Sequence, residues 1–163
     1  MNPGFQENRS HDFDPEGLTY RRFAMEDYRH LCVDLDDLVE ALDSHHPDME
    51  WYLDLNTGEV LFASADTPME GLDDLEEDVD YMAIFPMSPR QSFEIMEDFV
   101  DALPEGTPKQ ALWVALDHRK PFAAFKDELG LGPLREQWCA FHDTRMRGYA
   151  MEWLEEHVPG AQV

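Results

Sequence analysis

The run from Pro108 to His157 constrains the fold more than any other stretch, because it reads as three successive helical segments that must share apolar sides. Thr107-Pro108-Lys109-Gln110 has the form of a helix start. Thr107 is expected as N-cap, Pro108 at the first helical position where its missing N–H is not needed, and Gln110 as the third member of a capping box. Ala111, Leu112, Ala115 and Leu116 then recur at helical spacing. Pro121 disfavours helix at the residue before it and breaks the run at His118-Arg119-Lys120. Phe122, Phe125 and Leu129 resume it, Gly130 is placed as a left-handed cap, and Gly132-Pro133 restarts the chain. A last helix is predicted over Pro133–His157, with Leu134, Trp138, Phe141, Arg145, Tyr149 and Trp153 on one stripe. That spacing predicts burial of Leu134, Trp138 and Phe141. Arg145 is expected at the stripe's edge with its stem over aromatic rings, or turned to a carboxylate.

Upstream, residues 33–44 read as a first helix, with Asp34 as N-cap and Leu35, Leu38, Val39 and Leu42 as its buried stripe. His45-His46-Pro47-Asp48 ends it. The adjacent histidines read as a solvated helix end, since neighbours in sequence rarely converge on one metal ion without a third ligand from elsewhere. Residues 49–65 read as a β-hairpin around Asn56-Thr57-Gly58-Glu59, where Gly58 supplies the positive φ of a tight loop and Asp54 accepts from loop amides. Asp66, Glu70, Asp73, Asp74, Glu76, Glu77, Asp78 and Asp80 follow without the glycine and regular oxygen ladder of a calcium loop, so a solvated loop is expected. Tyr81-Met82-Ala83-Ile84-Phe85 reads as a third strand. Ser88-Pro89-Arg90-Gln91 repeats the capping-box pattern ahead of a face made by Phe93, Met96, Phe99, Val100 and Leu103. Residues 1–30, broken by Pro3, Gly4, Pro15 and Gly17, read as a loose arm whose end Phe23, Met25, Tyr28 and Leu31 are placed to dock. The expectation is an α+β domain over residues 31–163, in which a small antiparallel β-sheet (a hairpin plus one strand) packs with amphipathic helices and a C-terminal helical unit.

Three segments of the helical run, Phe122-Ala123-Ala124-Phe125-Lys126-Asp127, Trp138-Cys139-Ala140-Phe141 and Glu152-Trp153-Leu154, occur with an upstream Leu53-Asp54-Leu55-Asn56-Thr57-Gly58-Glu59-Val60. In this order, over roughly residues 33–157, the chain resembles a bacterial group known as uncharacterised protein family 0158. The resemblance implies membership and no activity. Members of the group often carry a Gly-rich approach to the first Phe and two Arg inside the Phe pair. This chain has His118-Arg119-Lys120-Pro121 and Ala123-Ala124 at those places.

Charge bears most on function. Asp and Glu number 36 against 12 Lys and Arg, for a net charge of −24. Up to Gly106 there are 28 acids and 5 bases, and from Thr107 onward 8 acids and 7 bases. This field excludes unassisted nucleic-acid binding, because a phosphate backbone needs cations. Solvation in a salty cytoplasm, a docking face for a basic protein partner, and DNA mimicry remain as readings. The sequence has no run of apolar residues long enough for a membrane span and no early apolar segment of a signal peptide. Cys32 and Cys139 are expected as reduced thiols of a cytoplasmic protein, packed as small apolar groups.

No nucleophile elbow, zinc-protease, P-loop or dinucleotide pattern occurs, which leans against an enzyme. No cofactor and no metal are expected. The best polar constellation is Arg119, Lys120, Lys126, His142, Arg145 and Arg147, with His118 and Asp143 beside them. These residues could neutralise the acidic region and hold the two halves together. They could instead form a small-anion or peptide site, or an enzyme's site, if residues 118–126 and 142–147 converge.

Overall fold

The computed structural model describes residues 27–64, 66 and 81–163. A three-stranded antiparallel sheet forms from β1 (Met49–Asp54), β2 (Val60–Ser64) and β3 (Tyr81–Ile84), with β1 in the middle. Trp51 stands opposite Phe62 and Ile84, and Leu53 opposite Val60 and Met82. The two-residue period therefore puts these side chains on one face, and Trp51, Leu53 and Ile84 are buried there. In the hairpin, Asp54 Oδ1 accepts from the N–H groups of Asn56 and Thr57, as its place before the turn predicts. Gly58 has φ +83°, and a Cβ there would lie 2.5 Å from the carbonyl oxygen of Cys32. Both the backbone angle and the close approach demand glycine.

Five helices follow the expected order. α1 (Leu35–Leu42) is capped by Asp34, whose Oδ1 accepts from the N–H groups of Asp36 and Asp37. It is shorter than residues 33–44, because Val33 is held in extended backbone: its N–H donates to the Gln162 carbonyl, and Gln162 N–H donates to Leu31. Tyr28–His30 form a 3-10 turn beside this tie, with Tyr28 and Leu31 buried. α2 (Pro89–Ala102) opens on the predicted capping box: Ser88 Oγ accepts from Gln91 N–H, and Gln91 Oε1 accepts from Ser88 N–H. α3 (Thr107–Leu116) does not. Its ladder begins one residue earlier, with Gln110 N–H donating to the Gly106 carbonyl, so Thr107 lies inside the first turn and makes no side-chain cap. α4 (Pro121–Leu129) ends at Gly130, whose φ of 60° favours glycine. α5 (Pro133–His157) has the predicted bounds.

Two apolar cores result. The first joins the sheet, α1 and the second half of α5 around Leu38, Leu42, Leu53, Met146, Ala150, Trp153 and Val158. The second joins α2, α3 and α4 around Phe99, Val100, Leu112, Phe125 and Leu129. Trp138 and Phe141 of α5 pack against both. They and Leu134 are half-buried, where the stripe predicted burial. The buried face of α5 rotates along its length, from Trp138 toward Met146 and Ala150, because the helix leaves one core and enters the other.

Cys32 and Cys139 are free, but both are exposed, against the expectation of packed thiols. Cys32 alternates with buried Leu31 and Val33 in extended chain, so it points outward. Cys139 follows Trp138 by one residue, roughly 100° around the helix and away from Phe141. Among the described residues no helix is long and apolar enough to cross a membrane. The expected arm through residue 26, with Phe23 and Met25, and the acids from Glu70 to Asp80 lie outside the described residues.

Candidate functional site

A cleft of about 810 Å³ opens where α1 ends and β1 passes under α2, α4 and α5. Local rules place its parts. Glu40 and the C-cap Asp43 come from the last turn of α1. Ser44, His45 and His46 follow as the chain leaves the helix. The apolar lining is Met49 and Trp51 of β1, Met96 of α2, Phe122 and Phe125 of α4, and Trp138 of α5. Lys126 of α4 and His142 of α5 complete it. A shallower groove of about 510 Å³ shares Ser44, His45, His46, Met49 and Phe122 and continues over Pro86 and Pro89.

The aromatic lining is fixed from behind. Trp138 meets Phe125 edge-on at 4.9 Å between ring centroids and Phe99 at 5.3 Å, and Phe122 meets Phe93 at 6.3 Å. Such contacts lock rotamers and hold the cleft's shape without a ligand. Asp43 Oδ1 lies 3.6 Å from His142 Nε2, and the His142 ring lies 5.0 Å from that of Trp138. Two buried polar atoms of lining residues, Ser44 Oγ and Trp51 Nε1, have no hydrogen-bond partner. A buried polar group left unpaired costs about 1–3 kcal/mol. Among the described residues no group of three or more His, Cys, Asp or Glu could hold a metal ion.

The six basic residues singled out from sequence fall in different places. Lys126 and His142 both line the cleft. Arg145 lines a separate groove of about 530 Å³ between α2 and α5, where it pairs with Asp98 and sits 5.9 Å over the Phe141 ring. Arg147 pairs with Asp36 of α1 and with Asp143, whose carboxylates raise its pKa above the usual arginine value. Arg119 and Lys120 are exposed at the α3–α4 connection, where Lys120 N–H donates to His118 Nδ1. The division follows from helical pitch: Arg145 and Arg147 stand roughly 200° apart around α5. One therefore reaches α2 and the other α1, and α5 is pinned from both sides.

Glu40, Asp43, Ser44 and Trp51 belong to the cleft and escaped the sequence reading as site residues. Nothing local marks them. The only early signal was the His45-His46 pair at the helix end.

A family model described as Uncharacterised protein family (UPF0158) matches residues 28–159. A protein of Pseudomonas aeruginosa (strain PAO1), described as a UPF0158 protein, is 39% identical over 132 residues, covering 79% of this chain and 85% of that protein. No solved structure matches.

Proposed function

The chain belongs to the uncharacterised protein family UPF0158, and from that premise we propose that it is a cytoplasmic, non-enzymatic interaction module whose acidic surface docks a basic protein partner. The observation that carries the reading is how the charge is distributed. Arg145 and Arg147 of α5 are each turned to a carboxylate of the protein itself, Asp98 and Asp36. These two cations join α5 to its neighbours, and the whole chain carries a net charge of −24. A field of that sign concentrates basic partners and repels phosphate backbones. The two free, exposed cysteines fit a reducing compartment.

The test is capture of partners at low and at high salt, with the bound proteins identified. The reading expects basic proteins, held at low salt and released when the screening length falls from about 8 Å at physiological ionic strength to about 3 Å at 1 M. Partners of neutral or acidic charge, or partners held equally at both strengths, would sink it. A surface acidic for salt tolerance alone would capture nothing and would instead raise the unfolding midpoint in molar salt.

A second reading, a small-anion site at the C-terminal helices, is favoured by one observation. Lys126 lines the same cleft as His142, and no carboxylate among the described residues forms an ion pair with it. Arg119, Lys120, Arg145 and Arg147 line other surfaces, so this reading rests on Lys126 and His142.

A further inference from the structure

We infer that the cleft between α1, β1 and α4–α5 is the anchor of the proposed docking module, and that it takes one arginine or lysine side chain of a basic partner peptide. The inference rests on the docking reading and adds to it a place and a ligand chemistry.

Two observations point to this occupant. First, carboxylates and aromatic rings line the same cleft: Glu40 and Asp43 on the α1 side, Phe122 and Trp138 on the helical side. A guanidinium or ammonium gains from both, through charge-assisted hydrogen bonds and through the ring quadrupole. The C-terminus of α1, the negative end of its dipole, lies on the same side as the carboxylates. The protein already uses this chemistry within itself, since Arg145 pairs with Asp98 while standing over the Phe141 ring.

Second, the charge of the cleft favours a cation at neutral pH. Glu40 and Asp43 oppose Lys126, while His45, His46 and His142 carry charge only when protonated. The linings from α2 and β1, Ser92, Met96, Met49 and Trp51, bear no charge.

Lys126 makes the inference sharp. It works against a cationic guest and for an anionic one, so its removal has opposite consequences under the two readings. The probes are N-acetyl-arginine methylamide, its uncharged norleucine counterpart and its glutamate counterpart, titrated into the full chain and followed by the indole N–H resonances of Trp51 and Trp138. The arginine probe is expected to move both resonances, and the other two to move them little. Glu40→Gln weakens arginine binding about fivefold, Lys126→Met strengthens it by a similar factor, and Glu156→Gln, an equal charge change on an exposed position remote from the lining, leaves it within about twofold. Glu40 and Lys126 are exposed, so neither substitution threatens folding, and unchanged circular dichroism checks this.

Equal shifts with norleucine, silence of both indoles, or tightening of glutamate with weakening on Lys126→Met would each overturn the assignment. The two readings fail separately. Salt-sensitive capture of basic partners that ignores Glu40→Gln and Lys126→Met removes the cleft and leaves the docking module. Arginine binding in the cleft with no basic partner captured at low salt removes the docking module and leaves the cleft.

Discussion

The two cores differ in how far along the chain they reach. The core around Phe125 draws its members from one continuous stretch, Phe93 to Phe141, and is rich in aromatic rings that meet edge-on. The core around Leu53 gathers side chains from Tyr28 to Val158 and is mostly aliphatic. The first kind of contact forms between near neighbours at small loop-closure cost, while the second requires the two ends of the segment from Tyr28 to Gln162 to meet. The bonds between Val33, Leu31 and Gln162 join those ends. The difference teaches where the chain is vulnerable. The local core depends on ring packing, and the distant one depends on a few places where strands and termini approach closely. The cleft lies along their boundary, where Trp138 belongs to both.

The largest expected effect comes from the rings. Phe125 is fully buried, and Phe125→Ala should cost about 3–5 kcal/mol, against about 2–5 for Leu53→Ala in the other core. Urea unfolding followed by tryptophan fluorescence and by far-ultraviolet circular dichroism checks both. Because Trp138 and Phe141 pack against the two cores, the probes should report one coincident transition in each variant. Separate transitions would break the comparison into two independent folding units.

A smaller effect tests the dependence on close approach. Gly58→Ala meets both the positive φ and the Cys32 carbonyl, and should cost about 2–3 kcal/mol in the same unfolding measurement. Gly130→Ala, with a positive φ and nothing within 4 Å of the added Cβ, should cost about 1 kcal/mol. Equal losses at the two glycines would mean that the approach of the β1–β2 turn to Cys32 is not what holds the distant core.

The smallest expected difference concerns two helix starts of similar sequence. Ser88→Ala removes an observed cap and should cost about 1 kcal/mol, whereas Thr107→Ala should stay within about 0.5. A comparable loss at Thr107 would show that its hydroxyl caps α3 in solution.

Legibility in the sequence followed the same division. The bounds of α5, the capping box at Ser88, the Asp34 cap, the Asp54 turn and the glycine requirement at position 58 depend on residues a few positions apart, and all were readable. The partial exposure of Trp138 was not, because it depends on a cleft whose walls come from four other elements. Nor were Met146 and Ala150 legible as core, since the face that α5 buries changes where its neighbours change. Thr107 shows the opposite error. Its local pattern matched that of Ser88, yet a glycine carbonyl one residue earlier started the ladder.

By itself the sequence determined the helices, the hairpin, the excess of negative charge and the family, because each rests on residue chemistry or on spacing within a few turns. Only the tertiary structure decided that Arg145 and Arg147 serve opposite sides of α5, and that Glu40, Asp43, Trp51 and Trp138 line one cleft. The physical reason is that a helix fixes the angle between its own side chains but not what stands opposite them. That is settled when distant apolar faces bury one another.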